Sequence, residues 1–291
     1  MDEVARRGEE RAKVWITGAG GLIGGELVRA ASLDGRNFVA RGLSRADADL
    51  LDFKTVQELF RKERPGLVIH CAAISRSPAS QGAPDLAKRT NVDATANLAD
   101  LAAEIPFILF SSDLVFDGTK GNYLESDPPN PLSVYAETKV AAEELVRKYP
   151  RHCIVRISLT GGHSSQGDRG FNEEMKNAWR EGKALNLFVD EFRCPTAAPI
   201  VAQAVWELAT KRAVGTYHLG GAEKISRYEL GKLMASRHPE LKPRIIAGSR
   251  KEYRGPPRPA DTSMDCTKVQ EVLSFRLPRF SEWLDQDESG F

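Results

Sequence analysis

The run Gly18-Ala-Gly-Gly-Leu-Ile-Gly24 constrains this chain more than any other stretch of its sequence. It follows Lys13-Val-Trp-Ile-Thr17, short, apolar and rich in strand-forming residues, and it leads into a helical segment, Glu26 to Ala31. Glycines spaced G-x-x-G-x-x-G, with a further one at Gly20, allow a tight strand-to-helix turn and close approach of the backbone to a bound group. A helix start offers unpaired N–H groups and the positive end of the helix dipole, which suits a pyrophosphate. On this reading Gly18, Gly20, Gly21, Leu22, Ile23 and Gly24 cradle a dinucleotide.

The next hundred or so residues repeat this alternation of strand and helix. Phe38–Leu43 reads as a second strand, 55–62 as a helix and Gly66–Cys71 as a third strand. Leu86–Ala103 has helical periodicity, Phe107–Phe110 is a buried strand, Tyr135–Lys148 a helix and 152–156 a fifth strand. Strand and helix alternating with short connections predict an α/β fold of Rossmann type, a doubly wound parallel sheet with helices on both faces. The pattern loosens after Leu159, where Gly-rich and polar stretches separate shorter elements. Residues 12–158 are therefore expected to form the dinucleotide-binding core. Residues 159–285 should form a smaller, irregular, mainly substrate-binding part interleaved with it, with 1–11 and 286–291 as flexible tails.

Composition excludes several classes. With 41 Lys and Arg against 40 Asp and Glu in 291 residues, the overall charge gives no footprint for nucleic acid or an anionic membrane. No run of about 18 apolar residues suggests a membrane span, and residues 1–13 lack the apolar stretch of a secretory signal. Cys71, Cys153, Cys194 and Cys266 form no C-x-x-C pair and the histidines no H-E-x-x-H, so no metal is expected. Reduced thiols in a cytoplasmic protein are the reading of the cysteines.

The chemistry concentrates in three places. After the second strand, where an acidic residue would favour NAD, the chain has Ser44 and Arg45. A hydroxyl and a guanidinium suit a 2′-phosphate, so the expected cofactor is NADPH, with NAD the alternative. Asp49 and Leu50 stand at the same end, and either Asp49 or Asp52 could face the adenine or cap the helix near Phe53. Tyr135-Ala-Glu-Thr-Lys139 places a phenol and an ammonium on one helix face, where the cation could stabilise a phenolate. Ser111-Ser112-Asp113 ends a buried strand, where an α/β enzyme sets catalytic side chains, and Ser112 can donate to a carbonyl oxygen.

Taken in order, these segments resemble the extended short-chain dehydrogenases/reductases, and among them the dTDP-4-dehydrorhamnose reductase (RmlD-like) family. The resemblance runs from about Val14 to Leu284. It is carried by Arg45-Ala-Asp-Ala-Asp-Leu-Leu-Asp52, Arg64-Pro-Gly-Leu-Val-Ile-His-Cys-Ala-Ala73, Asn91-Val92 and Ser112-Asp-Leu-Val-Phe-Asp-Gly118. Tyr135-Ala-Glu-Thr-Lys139, Arg193-Cys-Pro-Thr196 and the stretch from Arg258 to Lys268 complete it. It implies that Tyr135 is the general acid, that Lys139 holds the nicotinamide ribose and lowers the tyrosine's pKa, and that Ser112 orients the carbonyl. It implies further that Cys71, Ala72, Ala73, Asn91 and Ser111 lie along the cofactor. Ser75, Val115 and Phe116, with Arg193 and Arg258 toward a pyrophosphate, would meet a nucleotide-sugar or similar carbonyl substrate; a homodimer is compatible with this.

Three positions depart from the family's habit: Leu114 stands for a frequent aromatic residue, His70 for Asn, and Leu159 lies where a Trp often meets the sugar nucleotide. They bear on the substrate more than on the cofactor. A dehydratase or epimerase is disfavoured because Asp113 is followed by Leu114 rather than by a second carboxylate. A cofactor-binding regulatory subunit, resembling the β subunit of methionine adenosyltransferase, is the non-enzymatic alternative.

Overall fold

A computed structural model of the protein describes residues 12–31, 38–287 and 291. The expected tail over residues 1–11 lies outside the described residues. Six parallel strands form the central sheet: β1 (Ala12–Thr17), β2 (Phe38–Leu43), β3 (Leu67–His70), β4 (Phe107–Ser112), β5 (His152–Ile157) and β6 (Gly215–Leu219). Their order is β6-β5-β4-β3-β1-β2. The order reverses between β1 and β3, and in such a sheet the crevice beyond the strand ends at the reversal is the ligand site. The glycine turn leaves β1 there, and Cys71-Ala72-Ala73 leaves β3 beside it.

Helices cover both faces. On one, α1 (Leu22–Ala31) packs on α6 (Ala198–Thr210), with Leu27, Val201, Val205 and Trp206 buried against Val14, Ile16 and Ile69. On the other, α2 (Phe53–Glu63), α3 (Ala94–Leu101) and α4 (Val134–Val146) bury Val56, Leu98, Ala142 and Val146 against Trp15, Val68 and Leu109. Near-continuous apolar strands are what a sheet covered on both faces requires.

The single helix expected over 86–103 is instead interrupted. An α-turn at Pro84–Lys88 passes into a π-helical stretch at Arg89–Asp93 before α3 begins. The inserted turn carries Asn91 inward, where its side chain bonds to Ile74 and Thr138. Asp52 caps α2, accepting from Thr55 N at 3.1 Å, which settles its role.

Beyond Leu159 the chain contributes to both parts of the molecule. α6 and β6 complete the sheet, while α5 (Phe171–Arg180), α7 (Arg227–Arg237) and α8 (Phe280–Gln286) enclose a second core of Met175, Trp179, Leu187, Leu230 and Leu284. A short parallel pair, Leu185–Phe188 with Ile245–Gly248, borders it. Phe291, expected in a flexible tail, is buried in this core against Phe171, Phe280 and Trp283. Three aromatic faces take its ring out of water, and His238 Nε2 bonds its carbonyl at 2.8 Å. Of the same expected tail, residues 288–290 lie outside the described residues.

Candidate active site

A cleft of about 1000 Å³ opens at the carboxyl ends of the strands. The glycine turn, Ser44, Arg45, Asp49 and Leu50 line one end, and Cys71, Ala72, Ala73 and Ser75 line the middle. Ser111, Ser112, Tyr135 and Lys139 meet there, and Arg193 and Arg258 line the far wall.

The turn fits a dinucleotide on its own geometry. Gly18 has φ +69°, and a Cβ there would stand 2.8 Å from Ala72 N; one at Gly24 would stand 2.3 Å from Gly18 O. At Gly20 an added Cβ would meet nothing within 4 Å, so that glycine keeps the floor of the cleft open for a phosphate. At the adenosine end Ser44 is already engaged: its N–H and hydroxyl donate to Asp47 Oδ2 at 2.8 and 2.7 Å. Arg41 pairs with Asp47 at 2.9 Å, and Arg45 has no ion pair among the described residues. Both residues expected at a 2′-phosphate border the cleft, and the Ser44 hydroxyl is the one bound within the protein.

Ser133 caps α4, accepting from Ala136 N at 3.4 Å, and this helix start delivers Tyr135 and, one turn later, Lys139 to the end of β4. Burial pushes the Tyr135 phenol up to about 12, a hydrogen bond with Ser112 opposing and Asp113 reinforcing it. Burial also lowers Lys139 to about 8, against Glu143 and Cys71, which raise it. The expected depression of the phenol by Lys139 is therefore not what the protein's own groups produce. Desolvation acts on both side chains, and the ammonium answers mainly to Glu143 one turn further on.

Glu143 is fully buried and accepts from Arg156 Nε and Nη2 at 2.9 and 2.7 Å and from Ser111 Oγ at 2.5 Å. It braces the floor beneath Lys139. Asp113 binds Ser112 Oγ at 3.1 Å, Thr262 Oγ1 at 2.9 Å and Ser158 Oγ at 3.2 Å. Burial raises its pKa and Arg193 opposes that shift. Its carboxyl is engaged in joining β4, β5 and the Thr262 segment.

Three expected contacts fail. Val115 and Phe116 are fully buried with Tyr123 and Met264, because the 3-10 turn after Ser112 directs them into the core; Leu114 lines the cleft instead. Asn91 is buried behind the wall, where its amide fastens Ile74 and Thr138 rather than lining the cofactor channel. Sequence reasoning also missed Glu191 and Arg227. Glu191 pairs with Arg193 at 3.3 Å and with Arg258 at 2.5 Å, and its backbone oxygen accepts from Arg227 N at 2.9 Å. Burial lowers the Arg227 guanidinium to about 10, against Glu191, which raises it. Neither residue carries a local signal, since they meet only in the folded wall. Phe171 also borders the cleft and supplies an aromatic edge that Leu159 lacks.

A parallel sheet with a glycine turn at its reversal, and Ser, Tyr and Lys converging at the end of β4, defines a Rossmann-fold oxidoreductase of the extended short-chain dehydrogenase/reductase class. The family model described as the RmlD substrate binding domain matches residues 12–287. The chain belongs to this RmlD-like family of NAD(P)H-dependent oxidoreductases. It is 32% identical to methionine adenosyltransferase 2 subunit beta of Bos taurus, over 89% of this chain and 82% of that one. It is 31% identical to dTDP-4-dehydrorhamnose reductase of Sinorhizobium fredii, over 82% and 85%. The solved dTDP-4-dehydrorhamnose reductase of Bacillus anthracis, in complex with NADP, matches the fold with TM-score 0.86 at 24% identity, over 95% and 98%. Among the described residues no helix is long and apolar enough to cross a membrane. Nor, among them, do three His, Cys, Asp or Glu residues group as metal ligands.

Proposed function

We propose that this chain is an NADPH-dependent reductase of a keto group on a nucleotide-activated deoxysugar. The observation that carries the reading is that Ser112, Tyr135, Lys139, the glycine turn and a guanidinium wall all line one cleft. The name of the Sinorhizobium relative supports it.

The glycine turn and the start of α1 would hold the pyrophosphate of the cofactor, and Arg45 its 2′-phosphate. The bound nicotinamide would supply the hydride. Ser112, whose hydroxyl donates to Asp113 Oδ1 at 3.1 Å, would turn that proton to the carbonyl oxygen, and Tyr135 would protonate the oxygen as it gains charge. A phenol held at about 12 stays protonated at neutral pH, and an alkoxide is a stronger base than the phenolate left behind, so transfer runs toward the alcohol. Lys139, its pKa lowered to about 8 and so still cationic at neutral pH, would hold the nicotinamide ribose beside them. Arg76, Arg193, Arg227 and Arg258 line the cleft with the three carboxylates of Glu174, Glu191 and Asp113, an excess of positive charge suited to the substrate pyrophosphate.

The second reading, a cofactor-binding regulatory subunit, is favoured by the 32% identity to methionine adenosyltransferase 2 subunit beta. An absorbance assay of NADPH oxidation against nucleotide 4-keto-sugars, with the product identified by NMR, separates the two. Catalytic turnover supports the reductase. No oxidation with any member of the panel, together with a stable complex with a methionine adenosyltransferase catalytic subunit, supports the other.

A further inference from the structure

His70 ends β3 and is 1% exposed, yet both of its ring nitrogens have partners. Nδ1 lies 2.7 Å from Thr17 Oγ1 at the end of β1, and Nε2 lies 3.0 Å from Thr95 Oγ1 on α3. The neighbours fix the direction of each bond. Thr95 Oγ1 gives its one proton to Asn91 O at 2.8 Å, so toward His70 it accepts. Thr17 Oγ1 accepts from Ala72 N at 3.3 Å, which leaves its proton for Nδ1. The neutral ring protonated at Nε2 satisfies all of these groups; the other tautomer leaves the Thr17 proton unused and breaks the bond from Thr95 Oγ1 to Asn91 O.

The chain of bonds continues. Asn91 Oδ1 accepts from Ile74 N at 2.8 Å, and its Nδ2 donates to Ile74 O at 3.2 Å and to Thr138 Oγ1 at 3.0 Å. Thr138 Oγ1 in turn donates to Tyr135 O at 2.7 Å. One ordered path therefore runs from Ala72 N, beside Gly18 in the cofactor turn, to the backbone of Tyr135.

We infer that His70, neutral and protonated at Nε2, is a positioning residue that sets the catalytic helix in register with the cofactor turn. The inference rests on the reading of Tyr135 as proton donor. Burial first, then Lys139, holds the imidazole at about 3, so the ring keeps its acceptor nitrogen throughout the physiological range. The imidazole presents one ring nitrogen to β1 and the other to α3. The π-turn at Arg89–Asp93 is the matching feature, since it brings Asn91 into line.

Nitrogen-15 spectra of histidine-labelled full-length protein test this without any substrate. The expected His70 signal shows a protonated Nε2 and a bare, hydrogen-bonded Nδ1, unchanged between about pH 5 and 8, where a free histidine titrates. A protonated Nδ1, or titration in that range, overturns the path. Kinetics then separate positioning from mere structure. Thr95→Val cuts the path remote from the cofactor turn and should lower kcat about tenfold, within the roughly hundredfold that a ~1 Å misplacement can cost. NADPH affinity should stay near that of the parent protein, and Thr95→Ser should restore turnover. A Thr95→Val protein that only melts earlier, with the parent kcat, overturns the assignment. If no keto-sugar is reduced, the reductase reading falls while the spectra still decide the tautomer.

Discussion

The two walls of the cleft are built on different plans. The cofactor wall is backbone and small side chains: glycines that permit approach, Ala72 and Ala73, and a helix start. Each element lies next to the strand that positions it. The wall proposed for the substrate is a set of long charged side chains, Arg193, Glu191, Arg227 and Arg258, gathered from positions up to 67 residues apart. At Gly18 and Gly24 the first wall has no room for an added Cβ. A wall made of paired charges can lose one member and keep its shape, while changing what it binds.

The greatest loss is expected on the first wall. Gly18→Val must place a branched Cβ at positive φ and 2.8 Å from a backbone nitrogen. It should abolish detectable NADPH binding by fluorescence titration and lower stability by more than the ~1–3 kcal/mol of ordinary overpacking. Near-parent binding would mean that the turn is not the pyrophosphate site.

The charged wall should answer differently. Arg258→Met keeps packing between Phe188 and Tyr253 but removes a guanidinium. KM for a nucleotide-sugar should rise roughly tenfold or more, as expected for one lost charge-assisted bond of about 1.5–3 kcal/mol, with NADPH affinity unchanged. A fall in kcat with constant KM would instead place Arg258 in the chemistry.

This contrast also explains what was legible in the sequence. The glycine turn and the Tyr135/Lys139 pair are local patterns whose geometry follows from one turn or one helix face. The first five strands announce themselves by apolar runs. β6 does not, because Gly215–Leu219 becomes a strand only by pairing with β5. Glu191 and Arg227 were missed for the same reason, as their meaning lies in a contact. Val115 and Phe116 were misread because a motif fixes the neighbourhood of its residues and not the side each faces. Asn91 was misread because a π-turn, invisible to helical periodicity, rotates it behind the wall.

The pH dependence probes the join between the walls. Lys139 has its pKa lowered to about 8, so its cation is present below that pH and lost above it. kcat/KM should therefore fall as pH rises through about 8, and Lys139→Arg should move that limb to higher pH. A flat profile to pH 10 would show that the Lys139 charge is not needed. A weaker response is expected at exposed Arg45, the guanidinium proposed for the 2′-phosphate. Arg45→Ala should reduce the preference for NADPH over NADH several-fold, an effect weakened by added salt. Unchanged selectivity would remove Arg45 from cofactor recognition.

Whether Tyr135 is the proton donor of a carbonyl reductase is decided by Tyr135→Phe. The ring packing survives and the transferable proton does not. NADPH affinity should remain at the parent value while kcat on a nucleotide 4-keto-sugar falls about 10²–10⁴-fold, the usual worth of general acid catalysis. Parent-level turnover by Tyr135→Phe would take the tyrosine out of the mechanism.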